Sequence, residues 1–128
     1  MEDVRELFAK DQFATGLCGI LIEDISVERC TCRMPLTPGH MNAGNVAQGG
    51  AVFTLCDIAF SVAANAGGVS TVSLGGQITY VRPGTGAYLR AEATLISSTR
   101  STCLYRVDVW NDQSALVAHA TFNGFHKG

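Results

Sequence analysis

A chain of 128 residues can hold one domain with its own core and is short for two, so residues 1–128 are expected to form a single domain. Nine basic against eleven acidic residues give a net charge of -2 with no basic block, which excludes nucleic acid and anionic membrane as expected partners. The five cysteines (Cys18, Cys30, Cys32, Cys56 and Cys103) show no CxxC and no zinc-like spacing to His40, His119 or His126; reduced, mostly buried thiols and no metal site are expected.

The N-terminal residues start acidic and lack the apolar core of a signal peptide, so a cytoplasmic protein is expected. Over residues 2–13, Val4, Leu7, Phe8 and Phe13 recur at helical spacing, which predicts a short amphipathic helix packed across one edge of the domain. Residues 17–25 and 27–36 carry β-branched residues and cysteines with a partial period of two, as in two antiparallel strands joined near Ile25 and Ser26. Residues 37–47 contain Pro38, Gly39, Asn42, Gly44 and Asn45, which is turn chemistry. From 51 to 64 the chain is apolar on all sides except at Thr54, Asp57 and Ser61, predicting a helix buried on most sides. It is too short to span a bilayer, and Gly67 and Gly68 end it.

Four strand-like runs follow. In the first, Val72, Leu74, Ile78 and Tyr80 are expected on one face, with Gly75 and Gly76 marking a bulge or a close backbone approach. In residues 88–97, Leu89, Ala91, Ala93 and Leu95 alternate with Tyr88, Arg90, Glu92 and Thr94, giving one buried and one wet face. Residues 102–110 and 115–125 are joined through Asn111, Asp112, Gln113 and Ser114 in a hairpin-like connection. Together these elements predict an α+β fold in which an antiparallel β-sheet wraps around a long central α-helix. One short sheet covers only part of such a helix, so a second copy of the chain is expected against the rest.

A carboxylate in an apolar helix is costly unless it is bonded or used, which singles out Asp57. Phe53, Thr54, Phe60 and Ser61 lie three or four residues away, on the same side of the helix. Two aromatic rings would raise the carboxyl pKa and Ser61 could orient a water, an arrangement suited to a nucleophile or general base. The alternative is that Asp57 pairs with a donor from the sheet and only fixes the helix. Gly49 and Gly50, at the mouth of the helix, leave N–H groups unobstructed at its positive end, where an oxyanion would sit; they could equally serve a tight turn. The separation from Gly49 to Asp57 is ~12 Å at 1.5 Å per residue. If the two cooperate, Asp57 of one subunit must face Gly49 of another whose helix runs antiparallel about a two-fold axis.

The run His40-Met41-Asn42, then Gln48-Gly49-Gly50, then Leu55-Cys56-Asp57-Ile58-Ala59 and Asn65, resembles the signature of hotdog-fold acyl-CoA thioesterases of the phenylacetate-degradation (PaaI-like) type. The Ile78-Thr79-Tyr80-Val81-Arg82-Pro83 run and the order of elements fit the same family. The resemblance implies a hotdog fold and hydrolysis of an aryl- or medium-chain acyl-CoA. Asp57 would be nucleophile or general base, the Gly49 N–H of the neighbouring subunit would polarise the carbonyl, and Asn42 and Ser61 would position substrate or water. Gln48, Gly50, His40 and Arg82 would contact substrate, in a homodimer or homotetramer with sites between subunits. Coenzyme A would be part of the substrate rather than a retained cofactor, with Arg82, Arg90, Arg100 and Arg106 as phosphate partners by residue type alone. Gln48 stands where the family usually has His; it can donate a hydrogen bond to a carbonyl but cannot titrate near neutral pH. Two competing readings are an enoyl-CoA hydratase or dehydratase on the same fold, which would combine an acid with a His, and an acyl-CoA-binding module without turnover.

Overall fold

Over residues 3–127, which the computed structural model describes, the chain forms α1 (Val4–Ala9), a π-helical turn (Gln12–Leu17), β1 (Leu21–Ile25), β2 (Arg29–Pro35), a 3-10 turn (Pro38–His40), α2 (Gly49–Asn65), β3 (Thr71–Tyr80), β4 (Tyr88–Ser98), β5 (Thr102–Asn111) and β6 (Leu116–His126). The strands make one antiparallel sheet in the order β1-β2-β4-β5-β6-β3. Strand alternation decides which side meets the helix. Ala91 and Ala93 of β4 stand opposite Val109 and Val107 of β5, and all four are fully buried. The intervening row faces outward and is polar: Arg90 lies over the Trp110 ring, and Asp108 accepts from His119 at 2.7 Å and Arg106 at 3.3 Å.

Small residues in the inner rows, Ala91, Ala93, Ala118 and Ala120, let α2 approach the sheet closely. Aromatic rings then fasten it. Phe60 stacks on Phe122 with ring centres 5.3 Å apart and meets Tyr105 edge-on at 5.6 Å, while Phe53 also packs on Phe122. The expected close backbone approach falls at Gly76, where a β-carbon would enter the Phe122 ring. The five cysteines are free and buried, and among the described residues no helix is long and apolar enough to cross a membrane.

Three expectations need correction. The helix expected over residues 2–13 stops at Ala9, because Asp11 caps a new turn by accepting from the Phe13 and Ala14 N–H groups; residues 1 and 2 lie outside the described range. That turn runs to Leu17, so the first strand begins at Leu21 rather than at residue 17. In β3 the apolar residues do not share one face: a bulge between Ser73 and Gly75 shifts the register, so Val72 pairs with exposed Phe125, whereas Ile78 and Tyr80 pair with buried Ala120 and Ala118. As expected, α2 is buried on most sides: Gly50, Thr54, Asp57 and Ser61, spaced three or four residues apart, form a stripe that the chain leaves partly open.

Replacing Phe60 removes a ring that touches both the stacked and the edge-on partner. Phe60→Ala is expected to lower unfolding free energy by about 3–5 kcal/mol in denaturant titrations, and Phe60→Leu by clearly less.

Candidate active site

The start of α2 is built from two directions. The Ala47 N–H donates to Gly84 O at 2.9 Å and the Gln48 N–H to His40 O at 2.8 Å, which fixes the chain as it enters the helix. Gln48 is the N-cap residue, its side chain making no cap bond, and its carbonyl receives the Ala51 and Val52 N–H groups. The Gly49 and Gly50 N–H groups therefore have no partner among the described residues and point from the positive end of the helix. From the sheet side, the Tyr80 hydroxyl donates to Gly49 O at 2.7 Å.

The preceding loop brings further candidates to the same place. Asn42 closes the loop: its side-chain oxygen accepts from Gly44 N–H at 2.9 Å and Val46 N–H at 3.3 Å. Its carboxamide NH2 has no partner among the described residues. Asn42, Gly49, Tyr80 and Arg82 share a cleft of ≈ 430 Å³, and a second of ≈ 400 Å³ on the other side of the turn is lined by Phe13, Leu17, His40, Gln48 and Gly50. His40 is buried with both ring nitrogens engaged, Thr37 N–H donating to Nδ1 at 2.9 Å and Nε2–H donating to Cys18 O at 2.7 Å. This pattern leaves the ring no free nitrogen. Of the four arginines considered for phosphates, Arg82 lines the cleft; Arg90 and Arg106 are engaged on the outer sheet face, and Arg100 lies in the β4–β5 turn.

Asp57 and Ser61 lie further along α2, on its open stripe. The Asp57 carboxylate has no hydrogen bond or ion pair from the described residues, so among them the anchoring donor that a purely structural role requires is missing. Of its two aromatic neighbours along the helix, Phe60 is buried in the core and Phe53 packs on Phe122. The Asp57 carboxyl is pushed above the ordinary carboxylate range, as expected, first by burial and then by the Asp11 carboxylate. Neighbouring Cys56 is buried in the core and its thiol is pushed up to about 12, chiefly by burial, so it is no nucleophile at neutral pH. Asn65, the last residue of the motif, ties the helix end to β3: its NH2 donates to Ser61 O and Thr71 O, and its oxygen accepts from Thr71 N–H.

The chain thus gathers Asn42, His40, Gln48, Gly49, Gly50 and Arg82 around the head of α2, and holds Asp57 and Ser61 about two turns away. Sequence reasoning missed two participants. Tyr80 reads as one more apolar strand residue, although the Ile78–Pro83 run that contains it was part of the family pattern. Asp11 lies far from Asp57 along the chain, and no local spacing connects them.

An antiparallel sheet wrapped round one long helix is the hotdog fold. The chain belongs to the thioesterase superfamily, whose family pattern matches residues 39–118. A protein of Archaeoglobus fulgidus, provisionally named an esterase, is 30% identical over 121 residues, covering 94% of this chain and 79% of that protein. The Escherichia coli K12 acyl-coenzyme A thioesterase PaaI is 29% identical over 118 residues, covering 91% of this chain and 84% of its own. A solved structure of E. coli PaaI, from the phenylacetic acid degradation operon, superposes with a TM-score of 0.91 at 26% identity, covering 98% of this chain and 91% of that one. The crystal structure of a hypothetical thioesterase protein with coenzyme A from Streptococcus pneumoniae TIGR4 has a TM-score of 0.86 at 27% identity, covering 94% and 97%. The PaaI-like hotdog assignment expected from the sequence therefore holds.

A raised carboxyl pKa has a consequence for stability. The fold favours protonated Asp57, so the ionised form opposes folding at neutral pH, and this penalty disappears as pH falls below the unfolded-state value. Asp57→Asn is expected to raise the thermal midpoint at pH 7, with the gain vanishing in acid; a midpoint lowered at pH 7, or a gain independent of pH, would contradict the account.

Proposed function

We propose that this chain is an acyl-CoA thioesterase hydrolysing aryl- or medium-chain acyl-CoA esters, working as a homodimer or homotetramer with each site shared between two subunits. The observation that carries the reading is the pairing of an unbonded, half-buried Asp57 with unpaired Gly49 and Gly50 N–H groups on one helix, ~12 Å apart. Coenzyme A as the thiol component draws support from the E. coli relative's name and from the coenzyme A in the S. pneumoniae structure. A second copy is supported by the free edge of β3, where Val72 and Leu74, the latter 60% exposed, are open, with exposed Val81 just past the strand end. Five free thiols fit a reducing compartment, and the reading places the enzyme in the cytoplasm.

In this reading Asp57 of one subunit takes a proton from water, and the oxygen attacks the thioester carbon. The carbonyl electron pair moves onto oxygen, where the partner's Gly49 N–H receives the charge. Collapse breaks the carbon–sulfur bond, and the thiolate recovers the proton from Asp57, leaving a free acid and coenzyme A. If Asp57 attacks directly, its oxygen bonds to the acyl carbon, the thiolate leaves and water cleaves the resulting anhydride; the same donors serve both routes. Asn42 and Ser61 orient substrate or water, and Gln48 donates a hydrogen bond where a histidine is usual. His40 acts through its backbone and the cleft wall, because its ring is fully bonded. That also weakens the hydratase alternative, which needs a free imidazole beside the acid.

Purified protein supplied with benzoyl-, hexanoyl- and octanoyl-CoA is expected to release thiol, and Asp57→Ala to lower kcat about 10³-fold. Full activity in Asp57→Ala would refute the mechanism. Tight acyl-CoA binding without thiol release, and with no gain in Gln48→His, would make the chain a binding module instead.

A further inference from the structure

The first turn of α2 is poorly held on local grounds. Gln48 provides no side-chain cap, and the next two residues are glycines, which lose the most conformational freedom on ordering. Helix ends of this kind fray, whereas oxyanion stabilisation needs donors that do not reorganise as charge develops. We infer that Tyr80 is a positioning residue for the hydrolysis: its phenol clamps this turn to the sheet and so holds the Gly49 N–H in place. The inference rests on the proposed role of that N–H.

Two contacts make the clamp. The hydroxyl donates to Gly49 O at 2.7 Å. The ring fills the space beside the glycine, so that a β-carbon at position 49 would lie 3.1 Å from both Cζ and the hydroxyl oxygen. Tyr80 ends β3 and pairs with Ala118 of β6, so the turn is fixed against the sheet. Partial burial lifts the hydroxyl above its ordinary range, which keeps it a donor throughout neutral pH. The steric demand is specific to position 49, since a β-carbon at Gly50 would meet nothing within 4 Å. Gly49 is thus explained by the clamp, while Gly50 leaves the approach to the helix end open.

The test compares Tyr80→Phe, Tyr80→Val, Gly49→Ala and the Gly49→Ala/Tyr80→Val double variant with the unmodified protein and Asp57→Ala, using benzoyl-CoA and octanoyl-CoA and recording thermal midpoints. Tyr80→Phe keeps the ring and loses the hydroxyl; kcat is expected to fall about tenfold with KM within about twofold. Gly49→Ala is expected to fall further, and removing the ring in the double variant to restore kcat to that of Tyr80→Val alone, because the clash is gone and the N–H at 49 remains. A lower midpoint with unchanged kcat in Tyr80→Phe, or effects of the two substitutions that simply multiply, would overturn the inference. If Asp57→Ala keeps full activity, the hydrolytic reading itself fails; if it is inactive while Tyr80→Phe is unimpaired, only the role of Tyr80 is lost.

Discussion

The rigid rise of an α-helix governs this molecule. Gly49 and Asp57 sit on one continuous seventeen-residue helix, and its geometry holds them ~12 Å apart whatever the side chains do. A thioester carbonyl is small; the donor that polarises it and the base that delivers its attacker must both lie within hydrogen-bond reach. Under the proposed reading no single chain completes a site, and the same two-fold operation that supplies the missing half generates two equivalent sites. Catalysis and assembly then become one requirement.

The packing of α2 is consistent with that requirement. Its broad apolar face is fastened to the sheet by Phe60, Phe122 and Tyr105, and Asn65 ties its far end to β3. Against this anchoring, Asp57 is half-buried without a hydrogen bond from the described residues, and burial first and the Asp11 carboxylate second disfavour its ionised form. Under the proposed reading this cost has a use, because a raised carboxyl pKa suits a general base. The helix head shows the complementary feature, two unsatisfied donors held by main-chain bonds on one side and by Tyr80 on the other.

Much of this was legible in the sequence, for identifiable reasons. The alternation of Leu89, Ala91 and Ala93 with Arg90 and Glu92 specifies a sheet with one wet face, and the apolar run after Gly50 specifies the helix. Asp57 stands out because charge is expensive there, and Gly49 because two glycines at a helix start leave its N–H groups unobstructed. What stayed hidden depends on contacts between distant segments. Asp11 ends α1 early because its side chain can cap a turn, a choice that helical periodicity does not register. The raised carboxyl pKa expected at Asp57 is present, but that Phe60 turns toward Phe122 is something only the packed sheet determines. The bulge in β3 was visible in its glycines, but its effect on the face of Val72 depends on register with β6.

Mixing two inactive variants tests the shared site most directly. Asp57→Ala retains the helix head and lacks the base; Gly49→Val retains the base and places a branched side chain against the Tyr80 ring. Co-refolded or co-expressed and purified as hybrids, they are expected to regain hydrolysis, since each hybrid dimer holds one site with Gly49 and Asp57 both intact. Hybrids that form and remain as inactive as their parents would contradict a site built from two chains.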